Sequence, residues 1–207
     1  TLYALIDIWW VSRLGKESIA AVGLASNLMF VAIAISQTLG VGAVALVSQA
    51  YGRKDEPEVQ HVFNQSQSLA VLTGLLFLLV GYGAASVYAE HLSSDAATAA
   101  LAKQFLAWFI PAMALQFSMA GLGSALRGIG NMRPGLMAQM GSVLLNMVLA
   151  PFLIFGLISG HPLGVAGAAL ATFIATLTAV LGLMLYLTRA STYLRIDFAQ
   201  WRPDWKL

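Results

Sequence analysis

The 207-residue chain is 59% hydrophobic and only 10% charged, with no cysteine and a formal net charge of +2. A soluble globular domain carries about 25% charged residues. Together with a mean hydropathy of +0.79, this composition excludes a soluble domain and a disordered chain. The missing cysteine excludes a disulfide-rich secreted scaffold. The composition therefore predicts a protein that uses lipid as its solvent.

The first predicted element is a short apolar stretch over residues 1–13. It lacks the basic start of a signal peptide. It is also too short to cross about 30 Å of hydrocarbon at roughly 1.5 Å per residue. We therefore expect it to be the second half of a first span, and the chain to be part of a longer protein.

Five full spans are predicted from stretches without Asp, Glu, Lys or Arg, at 18–52, 59–89, 104–126 and 134–188. The last stretch is long enough for two helices, and Gly, His and Pro at 156–164 indicate a turn between them. The predicted spans are 19–48, 67–89, 104–126, 135–156 and 164–188. We expect an all-α, six-helix membrane bundle over 1–190, with its first helix truncated.

Residues 191–207 form the last predicted element. Their aromatic side chains alternate with basic ones. This pattern is typical of a linker that lies in the membrane interface. It is equally compatible with an ordinary loop.

The basic residues in the loops predict the orientation. If the loop at 49–58 is cytoplasmic, eight of the 11 Lys and Arg lie on the cytoplasmic side. This bias follows the positive-inside rule of multi-pass cell-membrane proteins. Because the basic residues are dispersed among short loops, the charge does not indicate a nucleic-acid partner.

Motifs of soluble enzymes are absent from the sequence: it has no phosphate-binding loop, no nucleophile elbow and no pair of His at metal-ligand spacing. We therefore expect neither an enzyme, nor a metal site, nor a cofactor.

Polar residues at membrane depth are the candidate functional groups. Asp7 is the acid that we place inside a predicted span, and such acids commonly mark ion pathways. The other candidates are uncharged and can either link helices or line a polar cavity: Asn146, Gln37, Gln116 and Thr172. Met113 is a further candidate for an adaptable apolar cavity wall.

Several stretches resemble the multidrug and toxic compound extrusion (MATE) family of transporters. These stretches follow one another in the order found in the family, over nearly the whole chain. They are IDIWWVSRLG at 6–15, SIAAVGLA at 18–25, VSQAYGR at 47–53, LRGIGNMRP at 126–134, NMVLAPFLIFG at 146–156 and GVAGAALAT at 164–172. The resemblance implies twelve helices in two lobes. The present chain would be the amino-terminal lobe in a bacterial cytoplasmic membrane, with 191–207 linking it to a missing carboxy-terminal lobe in the same polypeptide.

The resemblance also implies an ion-coupling site. Asp7 matches the family's first-helix acid, Asn146 the amide that hydrogen-bonds it, and Thr172 a nearby hydroxyl. The carbonyl of Ala168, one turn earlier, is a further candidate. Some relatives have a second acid where this chain has Ala150. One carboxylate, one amide and one hydroxyl favour a proton over sodium as the coupling ion.

The function expected from this resemblance is ion-coupled export of small cationic or amphipathic compounds by alternating access. Two alternatives stay open. A lipid or lipid-linked sugar flippase of the same superfamily would line its cavity with basic residues. A non-transporting scaffold subunit would hold Asp7 and Asn146 apart.

Overall fold

The computed structural model describes residues 2–93, 95–156, 161–190, 194–197 and 201. In these residues the chain forms helices and no strand. The helices are α1 (Leu2–Val11), α2 (Lys16–Gly52), α3 (Glu56–Leu92), α4 (Ala96–Gly128), α5 (Arg133–Phe155) and α6 (Val165–Ala190), and a 3-10 turn (Ser12–Leu14) follows α1. The predicted all-α, six-helix bundle is confirmed for this part of the chain.

Helices α2 to α6 are each long and apolar enough to cross a membrane, and the chain is a multi-pass membrane protein. Helices α2 and α3 have 37 residues each. At about 1.5 Å per residue they are longer than a hydrocarbon core of about 30 Å. Helix α3 begins at Glu56 and α4 at Ala96, well before the spans expected at 67 and 104. Hydropathy locates the part of a helix that lies in lipid, whereas the helix itself continues into its polar ends.

Short polar residues fix where α3 and α4 begin. The Asp55 carboxylate accepts a hydrogen bond from the Glu58 amide at 3.1 Å, and that of Asp95 accepts one from the Thr98 amide at 2.7 Å. Such caps satisfy amides that have no partner inside the helix. Helix α5 ends at Phe155 and is capped by Gly156, whose φ of +66° suits glycine. The caps at Asp55 and Asp95 keep the connections that precede α3 and α4 short.

Helix α4 forms the centre of the bundle. It packs against α2, α3 and α6, while α5 packs on α6, and α1 rests against α5, α2 and α6. Helices α3 and α4 approach so closely that a Cβ on Gly74 would lie 2.8 Å from the Ala114 carbonyl oxygen. Small residues permit such contacts between membrane helices. The arrangement leaves a space between α1, α2, α4, α5 and α6.

The segment after α6 is described at residues 194–197 and 201, where it is neither helix nor strand. Backbone groups of Arg195, Asp197 and Trp201 are hydrogen-bonded to side chains of α3. The rest of the expected interfacial linker, 191–193, 198–200 and 202–207, lies outside the described residues.

Candidate functional site

Asp7, Asn146 and Thr172 meet in the interior of the bundle. The Asn146 Nδ2 group donates to Thr172 Oγ1 at 2.9 Å, and Thr172 Oγ1 lies 3.2 Å from Asp7 Oδ2. All three residues are almost fully buried, with exposures of 0 to 2%. Helices α1, α5 and α6 each contribute one member, so the cluster exists only when these helices are packed together.

The Thr172 hydroxyl has two acceptors for its single proton. Besides Asp7 Oδ2, the carbonyl oxygen of Ala168 lies 3.2 Å from Thr172 Oγ1, which is the common contact of a helical Thr with the preceding turn. A hydroxyl donates one hydrogen bond at a time. It can therefore donate either to the carboxylate or to the helix backbone while it accepts from Asn146.

Several buried oxygens of this region have no partner among the described residues: Asp7 Oδ1, Asn146 Oδ1 and Thr176 Oγ1. Buried polar atoms are nearly always hydrogen-bonded in folded proteins. Unsatisfied oxygens beside a buried acid indicate a place where a proton, a cation or a polar ligand group can bind.

Asp7 and Thr172 form part of the wall of a cavity of about 550 Å³. This volume lies in the usual range for small-molecule sites, roughly 300–1,000 Å³. The wall is mainly apolar and includes Phe105, Phe109 and Met29. Its described lining residues include no Lys or Arg, and Asp7 is the acid among them.

The residues proposed from sequence as cavity lining lie in this wall. Gln37, Gln116 and Met113 all line the same cavity as Asp7. Asn146 is not a lining residue and reaches the cavity through Thr172. Ala168 is fully buried behind Thr172 and contributes its backbone carbonyl.

Three polar lining residues were missed by the sequence reasoning: Ser26, Thr176 and Gln139. The last two follow a helical spacing from predicted residues, since Thr176 lies one turn after Thr172 and Gln139 lies two turns before Asn146. Polar residues at intervals of four and seven share a helix face. This periodicity was the signal that could have identified these two residues.

The site therefore combines one acid with neutral hydrogen-bonding groups beside an apolar cavity. No group of three or more His, Cys, Asp or Glu that could hold a metal occurs in the described part of the chain. The arrangement can bind a single positive charge at Asp7 while the cavity holds an apolar or aromatic body.

Comparison with known proteins gives a consistent set of similarities. A family model described as MatE matches residues 1–152. The chain is 28% identical to the probable multidrug resistance protein YoeA of Bacillus subtilis, covering 93% of this chain and 42% of that protein. It is 32% identical to the probable multidrug resistance protein NorM of Bradyrhizobium diazoefficiens, covering 97% of this chain and 43% of that protein.

A solved structure, described as the inward-facing conformation of a multidrug resistance MATE family transporter, is similar over the whole chain. The TM-score is 0.90 with 28% identity, over 100% of this chain and 46% of the other. The chain thus spans slightly less than half the length of the relatives that it matches.

Proposed function

The chain belongs to the MatE family, and we propose that it forms the amino-terminal lobe of a proton-coupled antiporter. Members of this family are transporters rather than enzymes, and the similar solved structure is described as one. The substrates of the antiporter are small cationic or amphipathic compounds, exported by alternating access between this lobe and a second one in the same polypeptide. The observation that carries the proposal is the Asp7–Thr172–Asn146 cluster in the wall of a largely apolar cavity.

In this proposal the proton and the substrate compete for Asp7. An ionised carboxylate in an apolar site is costly unless a positive charge compensates it. A cationic substrate supplies that charge from the cavity, and a proton removes the need for it. Because the two ligands exclude each other at one group, binding of the proton favours release of the substrate, as exchange requires.

The Thr172 hydroxyl provides the structural response to the proton. When Asp7 is ionised, the hydroxyl donates to Asp7 Oδ2, and when Asp7 carries a proton, the hydroxyl can turn to the Ala168 carbonyl. This switch changes how tightly α1 is bonded to α6. A change in that bond is a local event that can bias the packing of the lobe between two arrangements.

The number of charged ligands favours a proton over sodium. Hard cations such as Ca²⁺ and Mg²⁺ take about six or more oxygen ligands in proteins, and we expect a dehydrated sodium ion likewise to need several oxygens around it. The cluster offers one carboxylate, Asp7, and the position one turn after Asn146 is the buried Ala150. A proton needs only the carboxylate and a neighbouring hydrogen-bond acceptor.

The substrate class is proposed from the chemistry of the wall. Phe105 and Phe109 present aromatic surface, Met29 and Met113 present flexible apolar side chains, and three glutamines offer hydrogen bonds in either direction. Such a wall accepts flat or flexible amphipathic molecules of varied shape. Asp7 adds a preference for a positive charge.

Neither alternative receives comparable support. A flippase for lipid-linked sugars needs cations for a pyrophosphate, and the described lining residues include no Lys or Arg. A scaffold in which Asp7 and Asn146 point apart does not agree with their shared contact with Thr172.

The test is efflux from membrane vesicles that contain the protein at its full encoded length. We expect the wild type to exchange a cationic dye for protons under an imposed pH gradient, with sodium replaced by potassium. We expect Asp7→Asn to abolish this exchange, because a neutral amide neither binds the proton nor attracts the cation. The matched control is Glu56→Gln, which neutralises an exposed acid at the start of α3.

The two possible coupling ions give different outcomes. Exchange that requires sodium and ignores the pH gradient would overturn the proton assignment. Unchanged proton-driven efflux in Asp7→Asn, at equal amounts of protein in the membrane, would overturn the role of Asp7.

A further inference from the structure

A row of polar side chains on α3 holds the segment that follows α6. Gln60, Asn64 and Ser68 are spaced four residues apart and therefore share one face of the helix. All three bind backbone groups of residues 195, 197 or 201. We call the described part of this segment, residues 194–197 and 201, the strap.

Asn64 is the centre of the row. Its Nδ2 donates to the carbonyls of Gln60 at 2.9 Å and Arg195 at 3.1 Å. Its Oδ1 accepts from the Asp197 amide at 2.9 Å and from Trp201 Nε1 at 3.2 Å. An amide side chain has two donors and two acceptor sites. Asn64 is fully buried and uses all four, three of them on the strap.

The residues on either side of Asn64 extend the same contact. Gln60 binds the Arg195 backbone in both directions, since its Oε1 accepts from the Arg195 amide at 2.9 Å and its Nε2 donates to the Arg195 carbonyl. The Gln60 side chain thus presents one acceptor and one donor to the Arg195 backbone, as a residue of a neighbouring β-strand would. Ser68 Oγ donates to the Trp201 carbonyl at 2.8 Å. The strap is therefore bonded to α3 at three successive turns.

Apolar packing accompanies these hydrogen bonds. Leu194 is fully buried and belongs to the same core cluster as Phe63 of α3 and Leu187 of α6. Releasing the strap would expose this side chain to water and remove the partners of a fully buried amide, both of which are unfavourable. The contact between the strap and α3 is therefore both hydrogen-bonded and buried, as contacts in a protein interior are.

We propose that the strap remains docked on α3 throughout the transport cycle, so that it moves as part of the six-helix lobe. This inference rests on the proposed two-lobe transporter. The row on α3 would then fix where the second lobe is attached, and rocking of the lobes would not require any change in the α3–strap contact.

A cross-link tests whether the strap must leave α3. The 207 residues contain no cysteine, and Arg195 contributes only backbone groups to the contact, so its side chain can be replaced. Gln60→Cys and Arg195→Cys are combined and joined with a short bifunctional thiol reagent in the full-length protein. Asn64 and Ser68 keep their hydrogen bonds to the strap in this variant. We expect the cross-linked protein to export dye at the rate of the two single-cysteine variants.

The matched control joins two helices of the same lobe at another place. Glu90 of α3 and Lys103 of α4 form an exposed ion pair at 2.5 Å, and the pair Glu90→Cys and Lys103→Cys is cross-linked in the same way. Loss of efflux on cross-linking residues 60 and 195, with recovery when a cleavable reagent is reduced and no loss in the control, would overturn the proposal.

A second measurement does not depend on transport and keeps the two proposals separable. Spin labels at positions 60 and 195 report their separation by dipolar broadening. We expect the two labels to show the same short separation at low and high pH, with and without dye. This expectation holds whatever the Asp7→Asn efflux assay shows about proton coupling. A separation that lengthens in any of these conditions would contradict a permanently docked strap.

Discussion

Thr172 Oγ1 lies 3.2 Å from Asp7 Oδ2, although 165 positions separate the two residues in the chain. This contact bonds the first helix to the sixth and places the acid against the same hydroxyl that Asn146 binds. Because lipid removes the hydrophobic driving force between membrane helices, hydrogen bonds of this kind contribute to helix association as well as to the site. The contact is therefore expected to affect both coupling and packing of α1.

Thr172→Val tests this contact with a side chain of nearly the same shape. The valine leaves Asp7 Oδ2 and Asn146 Nδ2 without their partner, and an unsatisfied buried group costs about 1–3 kcal/mol. We expect proton-driven efflux to fall by about tenfold or more, which corresponds to roughly 1.4 kcal/mol. We expect Thr172→Ser, which keeps the hydroxyl, to restore most of the rate.

Thr178→Val is the matched control for this substitution. Thr178 is exposed on the same helix, and its hydroxyl bonds the Ile174 carbonyl of its own preceding turn at 2.8 Å. We expect efflux of this variant to equal that of the wild type. Equal losses at both threonines would mean that a general effect on α6, rather than the contact with Asp7, causes the change.

The sequence allowed the number of helices and the membrane environment to be predicted because both follow from the distribution of charge. Stretches without charge mark the parts of helices in lipid, and Asp7 stood out as an acid inside such a part. The polar starts of α3 and α4 carry no comparable signal. Their caps, Asp55 and Asp95, mark the true beginnings of these helices and were not used.

The partners within the site could not be derived from spacing. Asn146 and Thr172 were identified as polar residues at membrane depth. Their pairing with Asp7 came from the family resemblance, since nothing local in the sequence indicates which helices meet. The strap was also beyond prediction: Gln60, Asn64 and Ser68 form a visible polar row, but a row on one helix does not identify what it binds. Contacts between distant segments depend on the packing of the whole lobe.

Gly74→Ala tests the close packing of α3 against α4. The added methyl carbon would lie 2.8 Å from the Ala114 carbonyl oxygen, whereas a methyl carbon on Gly83 of the same helix meets nothing within 4 Å. Overpacking of this kind costs about 1–3 kcal/mol. We follow thermal unfolding in detergent by tryptophan fluorescence and expect Gly74→Ala to lower the midpoint by several degrees. We expect Gly83→Ala to leave the midpoint unchanged or raise it slightly, because alanine favours the helix. Equal midpoints for the two variants would refute the tight contact.

Met113→Trp tests whether the cavity beside Asp7 holds the substrate. Met113 lines this cavity and is 6% exposed, so a larger ring at this position must take space from the cavity or strain the core around it. In a series of cationic dyes of increasing size, we expect export of the largest to be lost first while the smallest is still exported. This order is expected because steric exclusion depends on the size of the ligand.

Met137→Trp serves as the control, since Met137 is 73% exposed and does not line this cavity. We expect its export profile across the dye series to match that of the wild type. Thermal unfolding of both variants separates a blocked cavity from a damaged core, because a damaged core lowers the midpoint and reduces export of every dye alike. A uniform loss in Met113→Trp with an unchanged midpoint would mean that the substrates bind elsewhere, and that the proton site and the substrate site are separate.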